Sequence, residues 1–335
     1  MVIILLLLIA IGLLLAFTRW KTSVIERDAP GIGELIDVGG FRMNSVLLPA
    51  GPAADLPPIL FIHGASGNLR DQLFAFRGAL QGRADLLFVD RPGHGYSERG
   101  GPENGFPDGQ ADAIARLMDK RGIDKAIIAG HSFGAAIAAS FALKHPEKTL
   151  GLLFLAPATH PWPGGIAWYY RIASTPWLGS LFARLFSLPA GLAMLDAATH
   201  AVFAPNPRPA DYDENTAPQL VLRPKTFVYN AIDIANLNIY AARTAPLYGD
   251  IRTPAVIVTG DRDDIVAAEI HSHGLAVSIP GAKLLTVHGL GHKPDYVTTG
   301  LAIAALEWIA GHPVDLAAAR TEAQQEVLSA TSICR

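Results

Sequence analysis

Residues 125–144 read KAIIAGHSFGAAIAASFALK, and the middle of this stretch decides the fold. Lys125 to Gly130 is a short apolar run suited to a strand covered on both faces. Phe133 to Lys144 is almost wholly small and apolar, as expected of a helix lying directly on a sheet. Between them stands Gly130-His131-Ser132-Phe133-Gly134. A G-x-S-x-G sequence acquires chemical meaning where a strand turns sharply into a helix, and that is its context here. The two glycines permit a turn tight enough to lift the Ser132 side chain above the sheet in a strained backbone conformation, while the helix N-terminus points at its oxygen.

A serine hydroxyl is a poor nucleophile near neutral pH and needs a general base held in turn by a carboxylate. Both have candidates downstream. The apolar run AVIVTG (255–260) leads into Asp261-Arg262-Asp263-Asp264-Ile265-Val266, and KLLTVH (283–288) leads into Gly289-Leu290-Gly291-His292. Acid and imidazole each fall just past the C-terminal end of a predicted strand, where open α/β sheets form their ligand sites, and the order Ser, Asp, His suits that geometry. Three further runs, PILFIH (58–63), DLLFVD (85–90) and LGLLFLA (150–156), have the same character. ELIDV and FRMNSVLL flank Gly39-Gly40, the signature of a tight antiparallel hairpin. Amphipathic helices are predicted over 68–81 and 110–121, so strands and helices alternate and a mostly parallel sheet with right-handed crossovers is expected.

Five motifs in this order, His63-Gly64, Asp90-Arg91-Pro92-Gly93-His94-Gly95-Tyr96-Ser97, the turn at Ser132, the acid loop at 260–266 and Gly291-His292, resemble those of the α/β-hydrolase superfamily. The resemblance covers about Glu34 to Ala310. It implies an α/β fold with a mostly parallel eight-stranded sheet flanked by helices. It implies Ser132, Asp263 and His292 as the catalytic residues, Asp263 being the acid three residues before Val266. Asp261 and Asp264 are then a solvated acidic turn, His288 a bystander, and His131 a packing or hydrogen-bonding neighbour. The backbone N–H of Phe133 is the expected first oxyanion donor, and the resemblance points to the N–H of Ala65 as the second. Ser66 is read as a turn residue, and Asp90 and Arg91 as ordering a loop around the site.

Composition closes off other classes. Half of the 335 residues are apolar and 17% charged, with 27 Lys and Arg against 30 Asp and Glu and no long like-charge run, so nothing recommends nucleic acid as a partner. The one cysteine, Cys334, excludes an internal disulfide and a thiolate metal cluster. His271 and His273 lack a matching ligand set, and no dinucleotide fingerprint has its structural context, so neither metal nor cofactor is expected. Epoxide hydrolases and haloalkane dehalogenases use an aspartate where this chain has Ser132.

Residues 2–17, VIILLLLIAIGLLLAF, contain no charge and no proline. At about 1.5 Å per residue they make roughly 24 Å of helix, or about 28 Å through Trp20, close to the thickness of a bilayer core. No basic residue precedes the run and no small-residue cleavage site follows it, which reads as an uncleaved anchor rather than a signal peptide. Arg19, Lys21 and Arg27 all follow the run, placing the globular part on the cytoplasmic face. The expected organisation is an anchor at 1–20, a tether at 21–33, core at 34–160, a helical cap at 161–252, core again at 253–312, and a tail at 313–335 of unread role.

The cap is rich in aromatics, including Trp162, Trp168, Trp177, Tyr169, Tyr170, Phe182 and Phe186, which would line an apolar pocket or form the cap's own core. Asn230, Asp233 and Asn236 share one helical face and read as a solvated face rather than as site residues. The function expected is a serine hydrolase cleaving an ester of an apolar acid or alcohol through an acyl-enzyme on Ser132. The rivals are a C–C bond hydrolase of vinylogous diketones using the same residues, and a membrane-tethered binding protein on a hydrolase fold. The partners expected are a small apolar substrate and, through the N-terminal helix, the lipid bilayer.

Overall fold

The apolar N-terminal run forms one long helix, α1 (Val2–Asp28), which continues into the segment read as a tether. A hairpin follows, β1 (Glu34–Asp37) and β2 (Arg42–Leu48), then β3 (Ile59–Ile62), α2 (Leu69–Leu80), β4 (Leu86–Val89), α3 (Pro107–Lys120), β5 (Ala126–His131), α4 (Phe133–Lys144) and β6 (Thr149–Leu155). The alternation then lapses into a helical stretch: α5 (Trp168–Ala173), α6 (Leu178–Phe182), α7 (Leu188–Phe203), α8 (Tyr212–Thr216) and α9 (Pro224–Thr244). The sheet resumes with β7 (Ala255–Gly260), α10 (Ala268–Ser278) and β8 (Lys283–Val287), and the chain closes with α11 (Pro294–Val297), α12 (Thr299–Ile309) and α13 (Leu316–Ile333). The computed structural model describes residues 1–333; Cys334 lies outside them.

The eight strands form one sheet in the order β1-β2-β4-β3-β5-β6-β7-β8, with β2 antiparallel to both neighbours and all other pairs parallel. The near-continuous hydrophobicity of the central strands follows from burial on both faces. Along β3, Leu60 and Ile62 enter the cluster built with Ile114, Leu117, Ile137 and Phe141 of α3 and α4. Ile59 and Phe61 enter the opposite one, with Phe76 of α2 and Leu301 and Leu306 of α12. Helix α4 is buried from Phe133 to Ala142, and its small residues let it lie close on the sheet.

Two terminal segments depart from the expectation. The stretch after Trp20 is not a loose tether. It is helical through Asp28, with Ile25 and Ala29 buried against Leu188, Leu220 and Leu222, Glu26 facing Arg223 at 3.3 Å, and the Tyr96 hydroxyl donating to Ala29 O at 2.6 Å. The chain after His312 forms α13, which buries Ala323 and Val327 in the core; Gln324 exchanges hydrogen bonds of 2.7 and 2.8 Å with the backbone of His288. Neither packing is visible locally, because both depend on distant partners.

The tightest point is the turn after β5. A β-carbon at Gly134 would lie 2.2 Å from Ile62 O, and one at Gly130 would lie 2.4 Å from Gly134 O. Both neighbours are backbone atoms that cannot swing aside. Gly134→Ala is therefore expected to cost more than about 3 kcal/mol, at the upper end of overpacking effects, as a lowered denaturation midpoint in urea.

Candidate active site

Ser132 sits between β5 and α4 with φ 53° and ψ −116°, a conformation that side chains resist. It is held from both sides. Its N–H donates to Leu155 O at the end of β6 at 2.9 Å, and its C=O accepts from Ala135 N at 3.0 Å and Ala158 N at 3.2 Å. Phe133 opens α4, so its N–H is among those with no acceptor inside the helix. The loop after β3 passes directly alongside: a β-carbon on Gly64 would come within 3.1 Å of Ser132 Cβ. Ala65 follows, half-buried against the core, and Ser66 has φ 60°.

Asp263 and His292 come from the loops after β7 and β8 and meet at the same sheet edge. His292 Nδ1 lies 2.7 Å from Asp263 Oδ2, with both side chains almost fully buried. A carboxylate can only accept from an imidazole, so Nδ1 carries a hydrogen, and in the neutral ring the lone pair is then on Nε2. The other oxygen, Asp263 Oδ1, accepts from Ile265 N and Val266 N, each at 2.9 Å. Burial pushes this carboxyl upward, but His292 and the two amides outweigh it and hold it below the ordinary aspartate value. His131 Nε2 donates to His292 O at 2.8 Å, which ties the residue preceding Ser132 to the imidazole's backbone; the two rings are 4.9 Å apart. No hydrogen bond joins the Ser132 hydroxyl to His292 among the described residues, a looseness common before substrate is bound.

The other acids and histidines have separate partners. Asp261 pairs with His288 at 2.8 Å on the surface. His271 is buried and accepts at Nδ1 from Thr159 N (3.2 Å) and His160 N (3.1 Å), while His273 is exposed. Asp71, His131 and Asp295 bring ligand atoms within 4.8 Å of one another, a spacing that could hold a metal ion. The buried Lys293 ammonium already provides the cation for both carboxylates there, 2.9 Å from Asp71 Oδ2 and 2.9 Å from Asp295 Oδ2.

The polar face of α9 turns inward. Asn230 and Asp233 are fully buried rather than solvated, and Asn236, half-buried, donates to Gly105 O at 3.0 Å. Asn230 clamps the loop after β3: its Oδ1 accepts from Ser66 N at 2.8 Å and its Nδ2 donates to Ser66 Oγ at 3.0 Å. Asp233 receives Arg91 at 3.0 Å, Arg99 at 2.6 Å and Gln110 at 2.9 Å. Burial pulls the Arg91 guanidinium down to about 10 against the attraction of Asp233, and Arg91 in turn donates to Gly64 O at 3.2 Å. Helical spacing identifies one polar face but not what covers it, so these residues were legible as a group and not as a brace.

Lys293 and Asn206 escaped the sequence reading altogether. Lys293 follows His292 and is anchored by Asp71 and Asp295, with the Tyr212 hydroxyl of α8 also donating to Asp71 at 3.0 Å. Asn206, after α7, accepts from Gly291 N at 2.8 Å and donates to Gly289 O at 3.0 Å. The aromatic stretch is also split: Trp162 is half-buried beside His271, whereas Trp168 and Trp177 are exposed, with Trp168 edge-on to Tyr169 and Phe182.

A mostly parallel sheet with a strained serine after its central strand, and an acid–histidine pair converging from two later strands, defines the hydrolase class of this architecture. A family model described as alpha/beta hydrolase fold matches residues 57–294, and the chain belongs to that family. Among its curated relatives, the chain is 32% identical over 132 residues to the dihydrolipoyllysine-residue acetyltransferase component of an acetoin cleaving system from Cupriavidus necator, covering 39% of this chain and 34% of that protein. It is 28% identical over 189 residues to a 2-hydroxy-6-oxo-6-phenylhexa-2,4-dienoate hydrolase of Burkholderia cepacia, covering 54% and 61%. The chain thus spans less than two thirds of these relatives. Its fold matches a solved membrane phospholipase A with a TM-score of 0.59 at 20% identity, over 92% of this chain and 97% of that one.

The buried histidines set a pH dependence. Burial, chiefly, depresses His63, His94 and His131 well below the ordinary value, and His271 to about 4. In the unfolded chain the same rings take up protons near about pH 6.5, so below that pH the unfolded state binds more protons than the native one. Their contribution to stability is present above that pH and is lost as pH falls. The unfolding temperature is expected to decline steadily from about pH 7 to about pH 4, as followed by circular dichroism.

Proposed function

We propose that this protein is a membrane-anchored serine hydrolase that cleaves esters of an apolar carboxylic acid or alcohol. The observation that carries the reading is the 2.7 Å His292–Asp263 contact beside a serine held at φ 53° over a helix N-terminus. In this mechanism Ser132 Oγ attacks the acyl carbon as its proton passes to His292 Nε2. Asp263 keeps the hydrogen on Nδ1 and stabilises the imidazolium. The N–H groups of Ala65 and Phe133 receive the developing oxyanion, for which one donor is typically worth about 3 kcal/mol. The imidazolium returns its proton to the leaving alcohol, and a water deprotonated by the same ring then releases the acid and regenerates the serine. Asn230 is a positioning residue in this scheme, because it braces the loop that presents Ala65. Helix α1, exposed over residues 2–13 and with a mean hydropathy of 2.8 over its most apolar 18 residues, supplies the anchor.

The relation to the phenylhexadienoate hydrolase of Burkholderia cepacia favours a second reading, C–C bond cleavage of a vinylogous diketone with the same residues. An ester screen separates the two. A fluorophosphonate probe should label the wild-type protein and leave Ser132→Ala unlabelled; labelling of neither would indicate a binding protein on this fold. On nitrophenyl esters, rates should climb with acyl chain length, whereas flat rates from acetate to laurate would defeat the apolar substrate. His292→Ala and Asp263→Asn should each lower kcat by about 10³- to 10⁴-fold. Asn230→Ala should lower kcat about 10- to 100-fold with KM nearly constant, since it displaces a transition-state donor rather than a substrate contact.

A further inference from the structure

The outer face of the cap carries an apolar surface that packing within the chain does not explain. Leu178–Phe203 runs as a continuous apolar helix with a π turn at Ala183–Ser187, and like α1 it is long and apolar enough to cross a membrane by length and composition. One side packs inward through Ala183, Leu188 and Phe203. The other presents Trp177 (93% exposed), Leu178, Leu181 (50%), Phe186 and Met194 to the outside. Scattered exposed apolar residues are ordinary, but a clustered set marks an interaction surface.

The docking of α1 determines what covers it. The apolar run of α1 extends to Phe17, yet only residues 2–13 are exposed without a break; Leu14, Leu15 and Phe17 are half-buried, and Phe17 joins the cluster of Leu188 and Leu192. At about 1.5 Å per residue the free part of this run reaches only about 18 Å into a hydrocarbon layer of about 30 Å. Burying the whole run in a bilayer therefore draws residues 14–17 into the near leaflet, and the cap helix packed beside them goes in as well. Exposed Trp20 marks the level at which the run ends, where tryptophans gather at membrane interfaces. Charge agrees: between Glu147 and Asp196 the chain has no Asp or Glu, while Arg171 and Arg184 are exposed among the apolar residues. This is the pattern of a surface that seats in acyl chains and meets anionic headgroups.

We infer that the cap segment Trp177–Met194 is a second membrane-contact element, immersed in the near leaflet beside α1, with a bilayer containing anionic lipid as its occupant. The inference rests on α1 being a membrane anchor, and its test separates the two. Full-length single-cysteine variants in a Cys334→Ser background, Ala10→Cys, Trp177→Cys, Leu181→Cys and Lys125→Cys, are labelled with an environment-sensitive nitrobenzoxadiazole. They are then reconstituted in phosphatidylcholine–phosphatidylglycerol vesicles carrying a doxyl-labelled lipid. Position 125 precedes β5, at the sheet edge opposite Ser132. Labels at 177 and 181 should be quenched at least about half as strongly as the label at 10, and the label at 125 not at all, in keeping with insertion to the headgroup–acyl boundary. Quenching at 10 with 177 and 181 behaving like 125 would overturn the cap contact and leave the anchor standing. No quenching at 10 would overturn both.

Discussion

The backbone of Ser132 is the constraint on which the rest of the molecule depends. A side-chain-bearing residue at φ 53° persists only where its surroundings over-determine it, and here β6, the loop after β3 and the start of α4 all close on it. Gly130 and Gly134 make that closure possible by admitting backbone where any β-carbon would collide. The strand order then has a direct consequence. Because β3 and β6 flank β5, the serine is fixed between the loop that offers Ala65 and the strand that accepts its own amide.

The cap is joined to this edge by buried polar contacts rather than by an apolar interface alone. Asn230 and Asp233 reach down from α9 to Ser66, Arg91 and Arg99. Asn206 holds the loop before His292, and Tyr212 joins the Asp71–Lys293–Asp295 cluster just after it. Buried ion pairs add little net stability, because desolvation consumes most of the Coulombic gain, yet removing one partner leaves an uncompensated charge at a cost of about 3–5 kcal/mol. Such contacts specify position. The loops that carry Ala65 and His292 are therefore set partly by residues of the inserted helical stretch, Asn230 for the first and Asn206 for the second.

Helix α1 extends the same logic outward. Its distal half is bare apolar surface, while its proximal half is locked to the cap through Ile25, Ala29 and the Glu26–Arg223 pair. A rigidly docked helix transmits orientation where a flexible tether would not. With the anchor proposed above, the α7–α9 segment has a fixed attitude to the membrane.

Ser132 and His292 were legible in the sequence as candidates because each sits in a short local pattern at the end of an apolar strand, and local patterns survive in one dimension; Asp263 was separated from Asp261 and Asp264 only by the resemblance to the α/β-hydrolases. The hairpin at Gly39-Gly40, the eight strands and helices α2, α3 and α4 were legible for the same reason: side-chain periodicity and turn chemistry act over a few residues. The burial of Asn230 and Asp233, the pairing of Lys293 with Asp71, the docking of α1 and the seating of α13 were settled only by the tertiary structure. Each joins residues from well-separated segments, and a polar residue in a sequence does not state whether its partner will be water or another part of the chain.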